Sequence, residues 1–261
     1  MTPEVKARLQ EALLTLGEEE ISDQDAHQAI LRLIPRWKKS LHNAGIGVAI
    51  PCAPGRSVTE ETLACVAKGL ACDLGLTPLT VQSFEIANNR EHLLKFFLDA
   101  GYHKLLFLDS DTVIDVKGLD MLVETMARWD AAMVAALVFQ RYVASDGVYN
   151  AFILDADGRH KPLLRADLPQ SLTAFPVEFC GLACALLDLD KIRNVAQTVE
   201  KETGEKIKWF RRVAEGFEHA GEDVAFCGKL KEHNLDFVVD PRVSTIHAIQ
   251  HRFLYSPAVA K

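Results

Sequence analysis

The sequence lacks any apolar run of the ~20 residues that a membrane-crossing helix needs. Residues 1–20 are polar and acidic and hold no apolar segment of the secretory-signal kind. It also lacks a Cys-x-x-Cys pair. Its six cysteines, at 52, 65, 72, 180, 184 and 227, sit mostly in apolar settings, and nothing near Cys180 and Cys184 completes a zinc site. They read as reduced core thiols of a cytoplasmic protein, or of a host's cytoplasm for a viral chain. Excess positive charge is missing too. A formal net charge of −7 argues against broad electrostatic attraction to nucleic acid, though not against a local basic groove. An acidic protein that handles a phosphorylated substrate needs a metal ion or a few placed arginines. Internal repeats and low-complexity segments are absent as well.

What is present suits one large α/β domain with a short appendage. The 261 residues are 49% hydrophobic and 25% charged, enough to bury a sizeable core. Residues 3–42 have helical spacing, with Val5, Leu9, Ala12, Leu13 and Leu16 on one face and Ile30, Leu33, Ile34 and Trp37 on a second. From Gly45 strands and helices alternate. Strands are expected at 46–50, 78–84, 104–108 and 131–139, and helices at 59–74, 88–100 and 119–129. Repeated β-α-β units with short connections imply a parallel, doubly wound sheet flanked by helices.

After Phe139 the rhythm changes. Segments 148–154 and 161–164 flank a turn at Asp155-Ala156-Asp157-Gly158, and segments 175–180 and 183–187 flank Gly181. A short helix is expected at 188–199, an exposed loop at 201–208, a helix at 224–233 and short strands at 237–239 and 243–247. This second half lacks a parallel pattern of its own and completes the same domain. The expected division is a helical extension at 1–43, a catalytic domain at 44–250 in two halves (44–140 and 141–250), and a tail at 251–261.

The most informative stretch is Lys104-Leu105-Leu106-Phe107-Leu108-Asp109-Ser110-Asp111. An apolar run without a polar face suits a central strand covered on both sides. Ligands of open α/β sheets bind beyond the C-terminal strand ends, where two buried acids are costly unless something positive meets them. A hard divalent cation, Mg2+ or Mn2+, shared with a substrate phosphate answers that need. Helix capping is the alternative, and it accounts for one acid only. Asn88-Asn89-Arg90 opens a helix, where backbone N–H groups favour an anion and Arg90 can pair with phosphate oxygens or with an acid such as Glu85.

Four features recur in one order: the loop Ile50-Pro51-Cys52-Ala53-Pro54-Gly55-Arg56, the Asn-Arg helix start, Asp109-Ser110-Asp111, and Gly221-Glu222-Asp223 followed by a late histidine. This combination resembles the GT-A glycosyltransferases of the Asp-x-Asp type, similar to family 2, over about residues 45–250. The resemblance implies a Rossmann-like, mostly parallel sheet and a metal-dependent hexosyl transfer from a UDP- or GDP-linked sugar to an acceptor hydroxyl. By the family pattern Asp111 binds Mn2+ or Mg2+ directly, Asp109 contacts the ribose or the metal through water, and His247 completes the metal site, with His251 as a rival. Pro51, Arg56, Asn89, Arg90, Ser110 and Gly181 fall on the donor side. Glu222 and Asp223 face the acceptor, with Asp223 as the base of an inverting reaction. In a retaining relative the pair would orient substrate instead. The family's acceptors include glycans, small molecules and hydroxymethylated DNA bases.

The stretch around Asp109 also resembles the first motif of haloacid-dehalogenase-type phosphatases, in which Asp109 would be a nucleophile. Two β-α units precede it here, and no downstream Gly-Asp-x-x-x-Asp follows. A nucleotidyltransferase would need a Gly-rich, Lys-containing triphosphate loop after the first strand, and none is present. A non-catalytic binding domain on the same scaffold is the remaining alternative.

Overall fold

The computed structural model describes residues 45–52, 58, 62, 77–82, 86–114, 116–139, 148–211 and 221–247, with the backbone alone at 77–82, 116 and 246–247. The expected N-terminal helices, most of the helix at 59–74, Arg56, Glu85, His251 and the tail lie outside the described residues.

A seven-stranded sheet forms the centre, in the order β2-β1-β3-β10-β5-β11-β8. Its strands are β1 (Ile46–Cys52), β2 (Thr77–Gln82), β3 (Lys104–Leu108), β5 (Met133–Ala136), β8 (Phe175–Pro176), β10 (Cys184–Asp188) and β11 (Phe237–Asp240). Strands β2, β1, β3, β5 and β11 share one direction, while β10 and β8 run against them. Mostly parallel and covered by helices, the sheet is a GT-A-like α/β fold.

The helices among the described residues are α1 (Ile86–Asp99), α2 (Val116–Trp129), α3 (Leu189–Thr203) and α4 (Glu222–Glu232). A small antiparallel sheet, β7-β6-β9, is built from β6 (Val148–Leu154), β7 (His160–Leu164) and β9 (Phe179–Cys180), and β4 (Thr112–Ile114) pairs with β12 (Thr245–His247).

The apolar run of β3 is buried on both faces, as its lack of a polar side requires. Leu105 and Phe107 join one core with Leu93, Leu94 and Phe97 of α1 and with Phe210 and Phe226. Leu106 and Leu108 join the other with Leu119, Leu122 and Met126 of α2. Gly47 of β1 allows α1 to seat closely, since a Cβ there would lie 2.2 Å from the Phe97 ring. Gly47→Ala is therefore expected to lower stability by about 1–3 kcal/mol through overpacking, read as a lower urea midpoint with an unchanged slope.

Several boundaries differ from expectation. Pro51 lies inside β1, buried, opposite Val81 of β2. The ladder to β3 ends at Ala49 and Phe107, so the missing proline N–H falls beyond the bonds that β3 requires. Helix α3 runs through Thr203 where a loop was expected from 201. Lys201 and Glu202 are good helix formers, and Gly204, in the left-handed conformation at φ 73°, ends the helix with its N–H donating to the Glu200 carbonyl. Asp188 caps the other end of α3, its carboxylate accepting from the N–H groups of Asp190 and Lys191. Helix α1 begins at Ile86, which places Arg90 in its second turn and away from the free N–H groups of the helix start.

Candidate functional site

Three chain segments meet beyond the C-terminal end of β3. The first is the turn after β3. The Asp109 N–H donates to the Ala183 carbonyl at 2.8 Å, and the Thr112 N–H returns to the Asp109 carbonyl at 3.0 Å. The turn so closed carries Asp109 and Ser110 half-buried and Asp111 buried at 3% exposure. Its far side is held by the Thr62 hydroxyl, which donates to the Thr112 carbonyl at 3.1 Å.

The second segment is α1. Asn89 fastens it to the end of β1, its Nδ2 donating to the Cys52 carbonyl at 2.7 Å. The next residue, Arg90, sends a buried guanidinium to the acids. Its Nη2 donates to Asp109 Oδ1 at 2.8 Å, its Nη1 donates to Asp223 Oδ1, and Glu222 Oε1 lies 3.9 Å away. The guanidinium also lies 5.8 Å from the centroid of the Phe107 ring.

The third segment is α4, with Gly221 at its N-cap and Glu222 and Asp223 in its first turn. Acids there are favoured by the helix dipole, yet Asp223 is pushed up to about 7. Withdrawal from bulk water is the main cause. Arg90 opposes it, Glu222 and Asp109 add to it, and the Leu182 N–H opposes it by donating to the carboxylate. The Asp223 side chain nevertheless keeps 30% of its surface open, so a ligand can reach it.

The structure thus brings Asp109, Arg90, Glu222 and Asp223 together, with Asp111 two residues from Asp109. Arg90, for which phosphate oxygens or an acid are the expected partners, bonds to carboxylates here. Gly181 lies against Asn150: its N–H donates to the Asn150 carbonyl at 2.6 Å, and a Cβ on it would fall 2.5 Å from Asn150 Nδ2. Gly181→Ala is accordingly expected to displace the neighbouring Leu182 N–H and lower stability by about 1–3 kcal/mol through overpacking, measured by urea unfolding. Strand β12 sets the His247 backbone opposite Thr112, the residue after Asp111.

Among the described residues no group of three or more His, Cys, Asp or Glu side chains converges as a metal site. Cys52, Cys180, Cys184 and Cys227 are buried thiols. No described helix is long and apolar enough to cross a membrane.

Sequence reasoning missed Asn150 of β6, which accepts from the Val138 N–H just after β5 through Oδ1 at 3.0 Å and from the Gly181 N–H just after β9 through its backbone carbonyl. An asparagine within an otherwise β-prone run was its available signal. The Leu182 N–H, the donor to Asp223, is a backbone group and left no mark in the sequence.

No family model and no curated protein sequence matches the chain. Solved structures do. The A197 protein from STIV is similar at 16% identity and a TM-score of 0.50, over 77% of this chain and 84% of that one. GalNAc-T7, solved with UDP, GalNAc and Mn2+, is similar at 11% identity and a TM-score of 0.50 over 77% of this chain. The match spans 43% of GalNAc-T7. Such likeness shows the fold alone, a GT-A-like mixed sheet flanked by helices.

Proposed function

We propose that the protein is a metal-dependent glycosyltransferase that moves a hexose from a UDP- or GDP-linked donor to an acceptor hydroxyl with inversion. The observation that supports this best is the meeting of Asp109, from the end of β3, with Glu222 and Asp223, from the start of α4, on one buried guanidinium. In this reading Asp109 is the donor-side acid and Glu222 and Asp223 are the acceptor-side acids, and GalNAc-T7, similar in fold, was solved with UDP, GalNAc and Mn2+.

The donor set suits Mn2+ or Mg2+. Asp109 and Asp111 would supply hard oxygens, and His247, whose backbone lies opposite Thr112, would add an imidazole. These three residues would hold the ion, which when bound supplies charge stabilisation for the departing diphosphate. Pro51, Arg56, Asn89, Ser110 and Gly181 would contact the donor in this reading, with Arg90 serving through its carboxylate partners. Asp223 takes the proton of the acceptor hydroxyl. The acceptor oxygen forms its bond to the anomeric carbon as the bond from that carbon to the phosphate oxygen breaks. The electron pair leaves with the nucleoside diphosphate. Glu222 orients the acceptor beside Asp223. Glycans, small molecules and hydroxymethylated DNA bases fit as acceptors, and nothing in the reading requires a membrane.

Equilibrium binding of UDP and of GDP, with and without Mn2+, tests the donor side. One of the two is expected to bind at least about tenfold tighter with Mn2+, a difference of about 1.4 kcal/mol, and Asp111→Ala is expected to abolish the difference. Binding indifferent to Mn2+ would count against the assignment.

A further inference from the structure

Among the described residues, the Arg90 guanidinium bonds to acids of both halves of the proposed chemistry. Its side chain is 3% exposed, and its two Nη atoms reach acids 19 and 133 residues away. Its surroundings hold this part of α1 in place. Asn89 ties this turn of α1 to β1, Phe107 lies beside the guanidinium, and the adjacent Glu91 accepts from the Phe210 N–H at 2.9 Å. Burial opposes a charged guanidinium, but Asp223, Asp109 and Glu222 together keep it charged. Asp223 itself has two anchors, Arg90 and the Leu182 N–H. A rigid planar fork between two carboxylates sets both their separation and the plane in which each lies.

We infer that Arg90 is a positioning residue that aims Asp223 at the reacting hydroxyl by holding it at a fixed place relative to Asp109. The acid that takes the proton and the acid on the donor side are thereby assembled before either substrate arrives. The inference rests on the reading of Asp223 as the base. It goes beyond that reading in giving Arg90 no contact with the donor. Preassembly of this kind matters because a displacement of about 1 Å in a reacting group costs about 10²-fold in rate.

The test uses Arg90→Lys, which keeps a positive charge on a flexible stem but loses the fork, together with Asp223→Asn and the double variant. The reaction followed is Mn2+-dependent release of nucleoside diphosphate from UDP-glucose, UDP-N-acetylgalactosamine and GDP-mannose. Arg90→Lys is expected to lower kcat about 10²-fold with the donor KM unchanged. The double variant is expected to be no slower than Asp223→Asn alone, because Arg90 acts through Asp223. A raised donor KM with kcat intact would place Arg90 on the donor and overturn the inference, as would losses that multiply in the double variant. Urea unfolding of the same four proteins reads the clamp without turnover. Coupled shifts are expected, and additive shifts would overturn the inference whatever the kinetics. If Asp223→Asn turns over at the unmodified rate while the unfolding shifts stay coupled, the base assignment fails and the clamp stands.

Discussion

Asp223→Asn is expected to slow sugar transfer by about 10²–10⁴-fold, the usual contribution of a positioned proton acceptor. Asparagine keeps the size and one acceptor oxygen, so the Arg90 and Leu182 contacts survive in part while the base is lost. The unmodified protein is expected to show an acid limb in kcat/KM centred near pH 7, because the base must be ionised and its carboxyl is pushed up to about 7. Asp223→Asn is expected to remove that limb from whatever activity is left. The same group leaves a trace in stability, and its sign can be worked out. The folded carboxyl holds its proton up to about pH 7, whereas the unfolded one releases it near pH 4. Its favourable contribution is therefore complete below about pH 4 and is lost as pH rises through about 7. Urea midpoints of the unmodified protein relative to Asp223→Asn should fall across that window.

The second large effect is on folding. Arg90→Met is expected to cost about 3–5 kcal/mol, the range for removing one partner of a buried ion pair. The substitution fills the space but leaves two acids facing each other without a counter-charge. Asp109 and Asp223 retain 23% and 30% of their side-chain surface, and water can relieve part of the penalty, so the lower half of the range is expected. Urea unfolding at pH 8 and at pH 5 would show the loss shrinking at the lower pH, where Asp223 is protonated and the repulsion relaxes.

The parts of the fold legible in the sequence were those set by local pattern. The run from Leu105 to Leu108 has no polar face, and it is buried on both sides. The two acids that end it were visible because they interrupt an otherwise apolar stretch that resumes at Val113 and Ile114. The turn at Asp155 to Gly158 was visible in its residues. The direction of β10 was not. Residues 183–187 are apolar throughout and would look the same running either way, and only pairing with β3 and β5 makes the strand antiparallel. The end of α3 was misplaced because Gly204, the residue that stops it, lies inside a charged stretch that also suits a loop.

The site divided along the same line. Asp109, Asp111, Glu222, Asp223 and Arg90 were each identifiable as candidates from residue type and neighbours. That one guanidinium would serve acids so far apart along the chain was not, since sequence spacing carries no record of long-range electrostatics. The shift of α1 to an earlier start matters for the same reason. With Arg90 in the second turn, its charge no longer opposes the helix pole, and its role is decided by the carboxylates around it.

The central claim is that the acids at the end of β3 serve a departing nucleoside diphosphate and do not attack a phosphate. Incubation with Mn2+ and the three sugar nucleotides, with quantified nucleoside diphosphate release, measures this directly. The account predicts release from at least one donor, loss of that release in Asp111→Ala, and no hydrolysis of p-nitrophenyl phosphate. Hydrolysis of that ester with a phosphoryl group trapped on Asp109, and no release from any donor, would contradict it.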